Sequence, residues 1–393
     1  MQDLTVFGRH DQATLDQMAN CLVGPAARGV LCADGHLGYS QPVGGVVGYR
    51  DAVSISGVGY DIACGNMAVR LPVEAAQIQD ALPAIAQRIN ERISFGIGRR
   101  NAERVEAACL EDDPAWAIRA VRPLRAMAQE QLGTVGGGNH YVNLFEDEQG
   151  LVWIGVHFGS RGLGHRIATH FRNEAGGKEG IMVPPTLVER GTGLAEEYLL
   201  AMQLAGRYAY AGREWVCREV ARIVQGTEEW TDEVHNHHNY VWEEQHGGET
   251  LLVVRKGATP AFPGQRGFVG GSMADGSVIL RGVESERARA ALYSTVHGAG
   301  RVMGRREAAG KWRWKKGRRV LVEPGKVDEQ AMRAEVAKRG IILVGGGADE
   351  APQVYRRLED VLAEHAGTIE IEHRLTPLVV VMAPPELVDP FKD

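Results

Sequence analysis

Fifty of the 393 residues are glycine, and they are not spread evenly. They gather at 133–138, 159–164, 264–276, 298–304 and 345–347, each cluster beside polar or ionisable residues. Glycine takes φ > 0 freely and lets backbone approach a ligand closely. Several such turns in one chain imply a site assembled from many loops.

The elements between the clusters are mixed. Helical spacing is read at 74–92 despite Pro83, at 114–131, and at 351–365 with Pro352 in the first turn. The Ala-, Leu- and Glu-rich stretch 194–224 reads as one or two core helices. Apolar, β-branched runs at 152–156, 251–254, 278–280, 341–344, 369–371 and 378–382 read as strands. Helices and strands do not alternate regularly, so an α+β fold is expected rather than a doubly wound α/β sheet.

Net charge is −6, so any nucleic-acid contact must come from a local patch. The five cysteines are odd in number and form no CxxC, which argues against a disulfide framework and for a reducing cytoplasm. The N-terminal MQDLTVFGRHDQATLDQ has no apolar signal core, and no run of about 20 apolar residues spans a membrane.

Six segments carry chemistry. In Gly57-Val-Gly-Tyr-Asp61-Ile-Ala-Cys64, an Asp and a Cys three apart can face one ion across a turn, offering a hard and a soft ligand. A buried structural Cys and a turn-capping Asp would leave the same trace. Asn139-His140 ends one glycine run. Val152-Trp-Ile-Gly-Val-His157 reads as a strand that delivers a His at its end, followed by Ser160 and Arg161. In His235-Asn-His237-His238-Asn239, neighbouring strand residues face opposite ways, so at most some of the three can share an ion. Lys256-Gly-Ala-Thr259, then Gly270-Gly271-Ser272-Met273, offers a point charge and a nest of N–H groups for phosphate. His297-Gly298-Ala299-Gly300-Arg301 joins a nucleophilic imidazole to a guanidinium that holds oxygens bidentately. Each segment alone also fits an ordinary turn or a satisfied structural histidine.

Taken together and in order, VGYDIACG, GGGNH, VHFGSRGLGH, HHNY, RKGAT and HGAGR resemble the RtcB RNA-splicing ligase family, from about Asp34 to Met382. The resemblance implies one large catalytic fold over 1–393, with mixed sheets, a central metal and nucleotide cleft, and a tail from about 384. It implies an enzyme that joins RNA ends bearing a 3′-phosphate or 2′,3′-cyclic phosphate to a 5′-hydroxyl. It implies Mn(II), two ions, and GTP. By position, Asp61, Cys64, His140, His157 and His238 would hold metal, and His297 would take the nucleotide. Asn139, Tyr141, Asn143, Asn239, Gly270, Gly271, Ser272, Met273, Ser277, Gly298, Ala299, Gly300, Tyr355 and Met382 would line the nucleotide site, with His140, His238 and His297. Arg161, Lys256, Arg301, Lys311 and Arg313 would meet RNA or phosphate. Family members often use a small activator, archease.

The sequence departs from the family pattern where the base is read. Asn143 stands where the family has Glu, and Met382-Ala383 where it has a terminal Lys-Gly. A carboxylate accepts from guanine N1–H and N2–H₂, and Lys donates to O6, whereas Met donates nothing. The expectation is an altered or relaxed nucleotide choice, with ATP or another triphosphate accepted. The basic run 301–319, with Trp312 and Trp314, is either an RNA-backbone patch or a solvent-facing basic hairpin. Two other classes use the same residues: a metal-dependent phosphoesterase, and an enzyme that nucleotidylates RNA ends without ligating them.

Overall fold

The computed structural model describes residues 3–315 and 318–385. Two large sheets carry the fold. The first orders the strands Arg266–Val269, Ser277–Gly282, Ile369–Met382, Tyr141–Glu146, Leu151–Phe158, Gly65–Glu74 and Asp232–His237, all antiparallel to their neighbours. Ile342–Val344 joins the long strand Ile369–Met382 in parallel. The second sheet orders Asp3–Val6, Ala26–His36, Val43–Tyr49, Glu249–Lys256 and Asn239–His246. The chain passes from the first sheet to the second at His238, so the junction between the sheets falls on a residue with ligand chemistry.

Helix Gly193–Gln225 packs on the strands Leu151–Phe158 and Gly65–Glu74 of the first sheet. Thr192 caps its first turn by accepting from the Ala195 N–H, and Gly226 ends it at φ +83°. Small residues on the buried face, among them Ala201, Ala205, Ala209 and Gly212, let the helix come close to its neighbours.

The α+β expectation holds, because antiparallel pairing needs no crossover helices. Several element readings need correction. The span 114–131 is not one helix: 3₁₀ turns occupy Pro114–Ala117 and Arg122–Leu124, and only Arg125–Gln131 is α-helical. Pro114 and Pro123 each sit at the start of a turn, where a missing N–H does no harm. The expected helix at 351–365 is a 3₁₀ turn, Pro352–Val354, then a short helix, Leu358–Glu364. Residues 74–92 also divide, into Ala75–Ile78, a 3₁₀ turn and Leu82–Arg92, with Pro83 in the first turn of the last helix. The two strands read at 369–371 and 378–382 are one continuous strand, Ile369–Met382. The tail beyond Pro385 lies outside the described residues.

Candidate metal and nucleotide site

The five metal-ligand candidates converge. Asp61 and Cys64 lie in the turn after the short helix Ile55–Val58, closed by the Cys64 N–H donating to the Asp61 carbonyl at 3.1 Å. His157 is carried near the end of Leu151–Phe158 and faces Tyr141 on one neighbouring strand and Asn66 on the other. His238 donates its backbone N–H to the Cys64 carbonyl at 2.9 Å. The Cys64 Sγ is 3.5 Å from His157 Nε2 and 3.7 Å from His140 Nε2, and His140 Nε2 is 3.0 Å from Asp61 Oδ2. Two ligand groups result, Cys64/His157/His238 and Asp61/Cys64/His140, sharing the thiol.

The far side of each ring fixes which nitrogen faces the centre. His157 Nδ1 donates to Asn66 Oδ1 at 2.6 Å, and His140 Nδ1 lies 2.9 Å from the Val135 carbonyl. The His157 assignment leaves Nε2 as the lone-pair atom at the cluster, the arrangement metal-bound histidines use, whereas His140 Nε2 hydrogen-bonds Asp61 Oδ2, a contact that a cation between them would replace. His238 Nδ1 is buried with no hydrogen-bond partner. A buried nitrogen without a partner is costly unless a cation or ligand meets it. That orphan, and a set of thiol, imidazole and carboxylate donors, fits a transition metal better than magnesium.

Electrostatics agrees. Burial pushes the imidazoles of His157 and His238 well below their ordinary pKa, so both are neutral at pH 7. Burial and the neighbouring Asp61 charge push the Cys64 thiol up, so a cation must displace its proton. Burial alone would raise Asp61, but its hydrogen bond and charge interaction with His140 outweigh that and bring it to about 2. Packing around Asp61 leaves no room for side chains: a Cβ on Gly159 would lie 2.1 Å from Asp61 Oδ1.

His297 follows the strand Ser294–Val296, and its ring lies 4.9 Å from that of His238. Asp34, fully buried, accepts from His297 Nδ1–H at 2.6 Å and from the His297 backbone N–H at 3.1 Å. The ring is held with Nε2 as the free nitrogen.

Some of the nucleotide-lining candidates come together next to His297 and others in a neighbouring apolar cluster. Gly270 bridges Gly298, which brings the two glycine loops side by side. Tyr141 stacks on His157, and a Cβ on Gly270 would lie 2.4 Å from the Tyr141 hydroxyl. Met273, Met382, Tyr141 and Tyr355 share one apolar cluster. The Tyr141 hydroxyl and, two residues along the same strand and paired with Val380, Asn143 Oδ1 are buried without partners. Asn239 ties the metal turn to the next loop, donating to the Asp61 carbonyl at 3.2 Å and accepting from the Gly257 N–H at 2.7 Å. The Gly271 N–H donates to Ser277 Oγ, and Ser272 Oγ to Asp275. Asn139 lies half-buried in the turn before His140, and Ala299 and Gly300 follow His297.

The basic candidates divide. Arg161 lies beside His140, its Nη1 3.1 Å from Nδ1. Arg301 donates to Glu350, the Asp349 carbonyl and the Tyr355 hydroxyl. Lys256 is buried and donates to the Tyr39 and Gln41 carbonyls. Lys311 and Arg313 lie on a separate two-stranded hairpin, Lys311–Lys315 with Arg318–Glu323, where Lys311 pairs with Glu323. The hairpin form fits both sequence readings, and the Trp314 side chain lies outside the described residues.

A family model described as tRNA-splicing ligase RtcB matches residues 17–124 and 119–383. The chain belongs to the RtcB family. It is 30% identical over 385 residues to the RNA-splicing ligase RtcB of Escherichia coli (strain K12), covering 88% of each chain. Identity to the tRNA-splicing ligase RtcB of Thermococcus kodakarensis is 28% over 455 residues, covering 93% of this chain and 90% of the relative. The RNA-splicing ligase RtcB of Mycobacterium bovis is 30% identical over 425 residues, covering 88% and 94%. The RtcB family is metal-dependent, and the two ligand groups are where this member can hold metal.

Sequence reasoning gave Asp34, Asn66 and Arg213 no role at the site. Asp34 and His297 are 263 positions apart, and nothing in their spacing joins them. The histidine run resolved as alternation requires: His235 and His237 turn away to Arg213, and His238 turns to the cluster.

Proposed function

We propose that this RtcB-family chain is an RNA ligase that joins RNA 3′-phosphate or 2′,3′-cyclic phosphate ends to 5′-hydroxyl ends through a nucleotidyl-histidine at His297. The observation that carries the reading is His297, pinned by Asp34 and set 4.9 Å from the His238 ring of the ligand cluster.

Asp61, Cys64, His140, His157 and His238 would hold two Mn(II) ions. When bound, these supply charge against the triphosphate and the developing negative charge of phosphoryl transfer. The protein's own groups do the rest. Asp34 keeps the proton on Nδ1 of His297, so Nε2 carries the lone pair that attacks the α-phosphorus and displaces pyrophosphate. Water first opens a 2′,3′-cyclic phosphate to the 3′-phosphate and a 2′-hydroxyl; His297 then passes the nucleotide to the RNA 3′-phosphate, and the 5′-hydroxyl attacks that phosphorus and displaces the nucleoside monophosphate. N–H groups of the 270–273 and 298–300 loops would supply further donors for phosphate. Arg161, Arg301 and Lys256 would supply positive charge for phosphate, and the Lys311–Glu323 hairpin a further basic surface for the RNA backbone.

The base subsite is read as altered. The apolar wall of Met273, Met382 and Tyr355 beside the unpartnered Asn143 Oδ1 and Tyr141 hydroxyl supports a pocket that does not demand guanine. An amide can meet the hydrogen-bonding edge of adenine or of guanine. GTP and ATP are therefore both expected substrates. Five buried, free cysteines support a cytoplasmic setting. An archease-type activator is an expectation carried by the family alone.

Intact-mass measurement after incubation with Mn(II) and each nucleoside triphosphate tests the proposal. It expects a monophosphate adduct that is lost in His297→Ala, and ligation of RNA with 2′,3′-cyclic phosphate and 5′-hydroxyl ends. Ligation without any adduct, or hydrolysis of the RNA end in its place, overturns it.

A further inference from the structure

Behind the ligand cluster lies a buried cation that the proposed chemistry does not use. Arg213, on helix Gly193–Gln225, is fully buried. Among the described residues it makes no ion pair with a carboxylate, and the acceptors it meets are neutral. Its Nη1 donates to the carbonyl of Phe158 at 2.7 Å and to that of Ala63 at 3.1 Å. Its Nη2 donates to His237 Nδ1 at 3.0 Å and its Nε to His235 Nε2 at 2.9 Å. Guanidinium has no acceptor, so both imidazoles must present lone pairs to it. Tyr210 closes the nest, stacked on His237 and lying 5.2 Å under the guanidinium carbon.

Three of the four anchor points sit one residue from a metal-ligand candidate. Ala63 precedes Cys64, Phe158 follows His157, and His237 precedes His238. These three ligands form one of the two groups. Ala63 also has φ +59°, a left-handed conformation that an alanine holds only when its surroundings impose it. We infer that Arg213 is a positioning residue for the metal centre: one planar fork that fixes the Cys64 turn, the end of the His157 strand and the His238 junction in mutual register. A buried guanidinium with neutral acceptors is expensive to maintain. Its fixed fork geometry, which no lysine reproduces, is what the site gains.

The inference rests on the metal-site reading above, and one experiment separates the two. Parent, Arg213→Lys, Arg213→Met, His237→Phe and Cys64→Ala proteins are stripped of metal and checked for folding by circular dichroism and thermal melting. Each is then titrated with Mn(II), and bound metal is measured after gel filtration. Arg213→Met is expected to weaken Mn(II) binding by about 10- to 100-fold, the usual effect of losing a group that orients metal ligands. Arg213→Lys should fail to restore it, because one ammonium cannot span two carbonyls and two rings. His237→Phe keeps the stacking ring, removes one anchor, and should weaken binding in the same direction. A merely structural role would lower the apo melting temperature and leave Mn(II) affinity at the parental value. Parental affinity in folded Arg213→Met, or full rescue by lysine, overturns the inference. If Arg213→Met does not fold, parental affinity in His237→Phe overturns it. Parental Mn(II) content in Cys64→Ala overturns the metal-site reading instead.

Discussion

Asp34→Asn is the sharpest probe of how His297 is prepared. Asp34 Oδ2 accepts two hydrogen bonds from the same residue, one from the ring and one from the backbone. The ring bond, at 2.6 Å, is to a buried carboxylate. Asparagine keeps the shape and removes the charge. The backbone N–H still demands an acceptor at that position, so the amide oxygen and not the NH₂ should face His297. The tautomer is then preserved, and only the difference between a charge-assisted and a neutral hydrogen bond is lost. That difference is about 1–2 kcal/mol, or roughly fivefold to thirtyfold in the rate of attack. Had the amide turned, the proton would move to Nε2 and the loss would approach the roughly 10⁴-fold of a triad histidine held in the wrong tautomer. The assay is single-turnover transfer of label from an α-labelled nucleoside triphosphate to protein, with excess Mn(II). Asp34→Ala should lose more than Asp34→Asn, because the backbone N–H is then orphaned as well. A rate for Asp34→Asn within twofold of the parent, or a loss above about 10³-fold, refutes the reasoning.

Other outcomes follow from the same geometry. Asn143→Glu with Met382→Lys should shift adduct formation toward GTP over ATP by roughly ten- to a hundredfold, read as the ratio of labelling rates; an unchanged ratio removes these positions from base reading. Mn(II) binding near pH 7.5 should release a proton, because burial keeps the Cys64 thiol protonated until metal takes its place; calorimetry in buffers of different ionisation enthalpy measures it. Metal-free protein should lose stability as pH falls below 6.5. Burial depresses His36 and His365 to about 4, and depresses His157, His235, His237 and His238 well below the ordinary value, so the unfolded chain binds the protons. Each contributes up to about 1.4 kcal/mol per pH unit below 6.5, until its folded pKa is reached. Denaturant melts that are flat between pH 7.5 and 5.5 contradict this. Charge reversal at Lys311 and Arg313 should weaken RNA binding and flatten its salt dependence without changing His297 labelling; an unchanged salt slope removes the hairpin from the RNA path.

The amino-acid sequence by itself determined the chemistry available to this protein. Its ligand-type residues, the glycine loops beside them and the ordered motifs of the RtcB family are all legible there, because turns and motifs are written in neighbouring residues. Long apolar elements are legible for the same reason: the spacing at 194–224 became helix Gly193–Gln225. Glycine-rich strands such as Val43–Tyr49 were not, since glycine carries little strand preference and pairing across the sheet decides the matter. The prolines at 114, 123 and 352 divided what periodicity joined. Only the tertiary structure decided which histidine of the run turns to the cluster, which nitrogen of each ring is free, and what stands behind it. Those outcomes depend on contacts between residues tens to hundreds of positions apart. Asp34 meets His297, Asn66 meets His157, and Arg213 ties Ala63 to Phe158. No local pattern records such pairs, because their energy exists only once the two sheets and the long helix have packed.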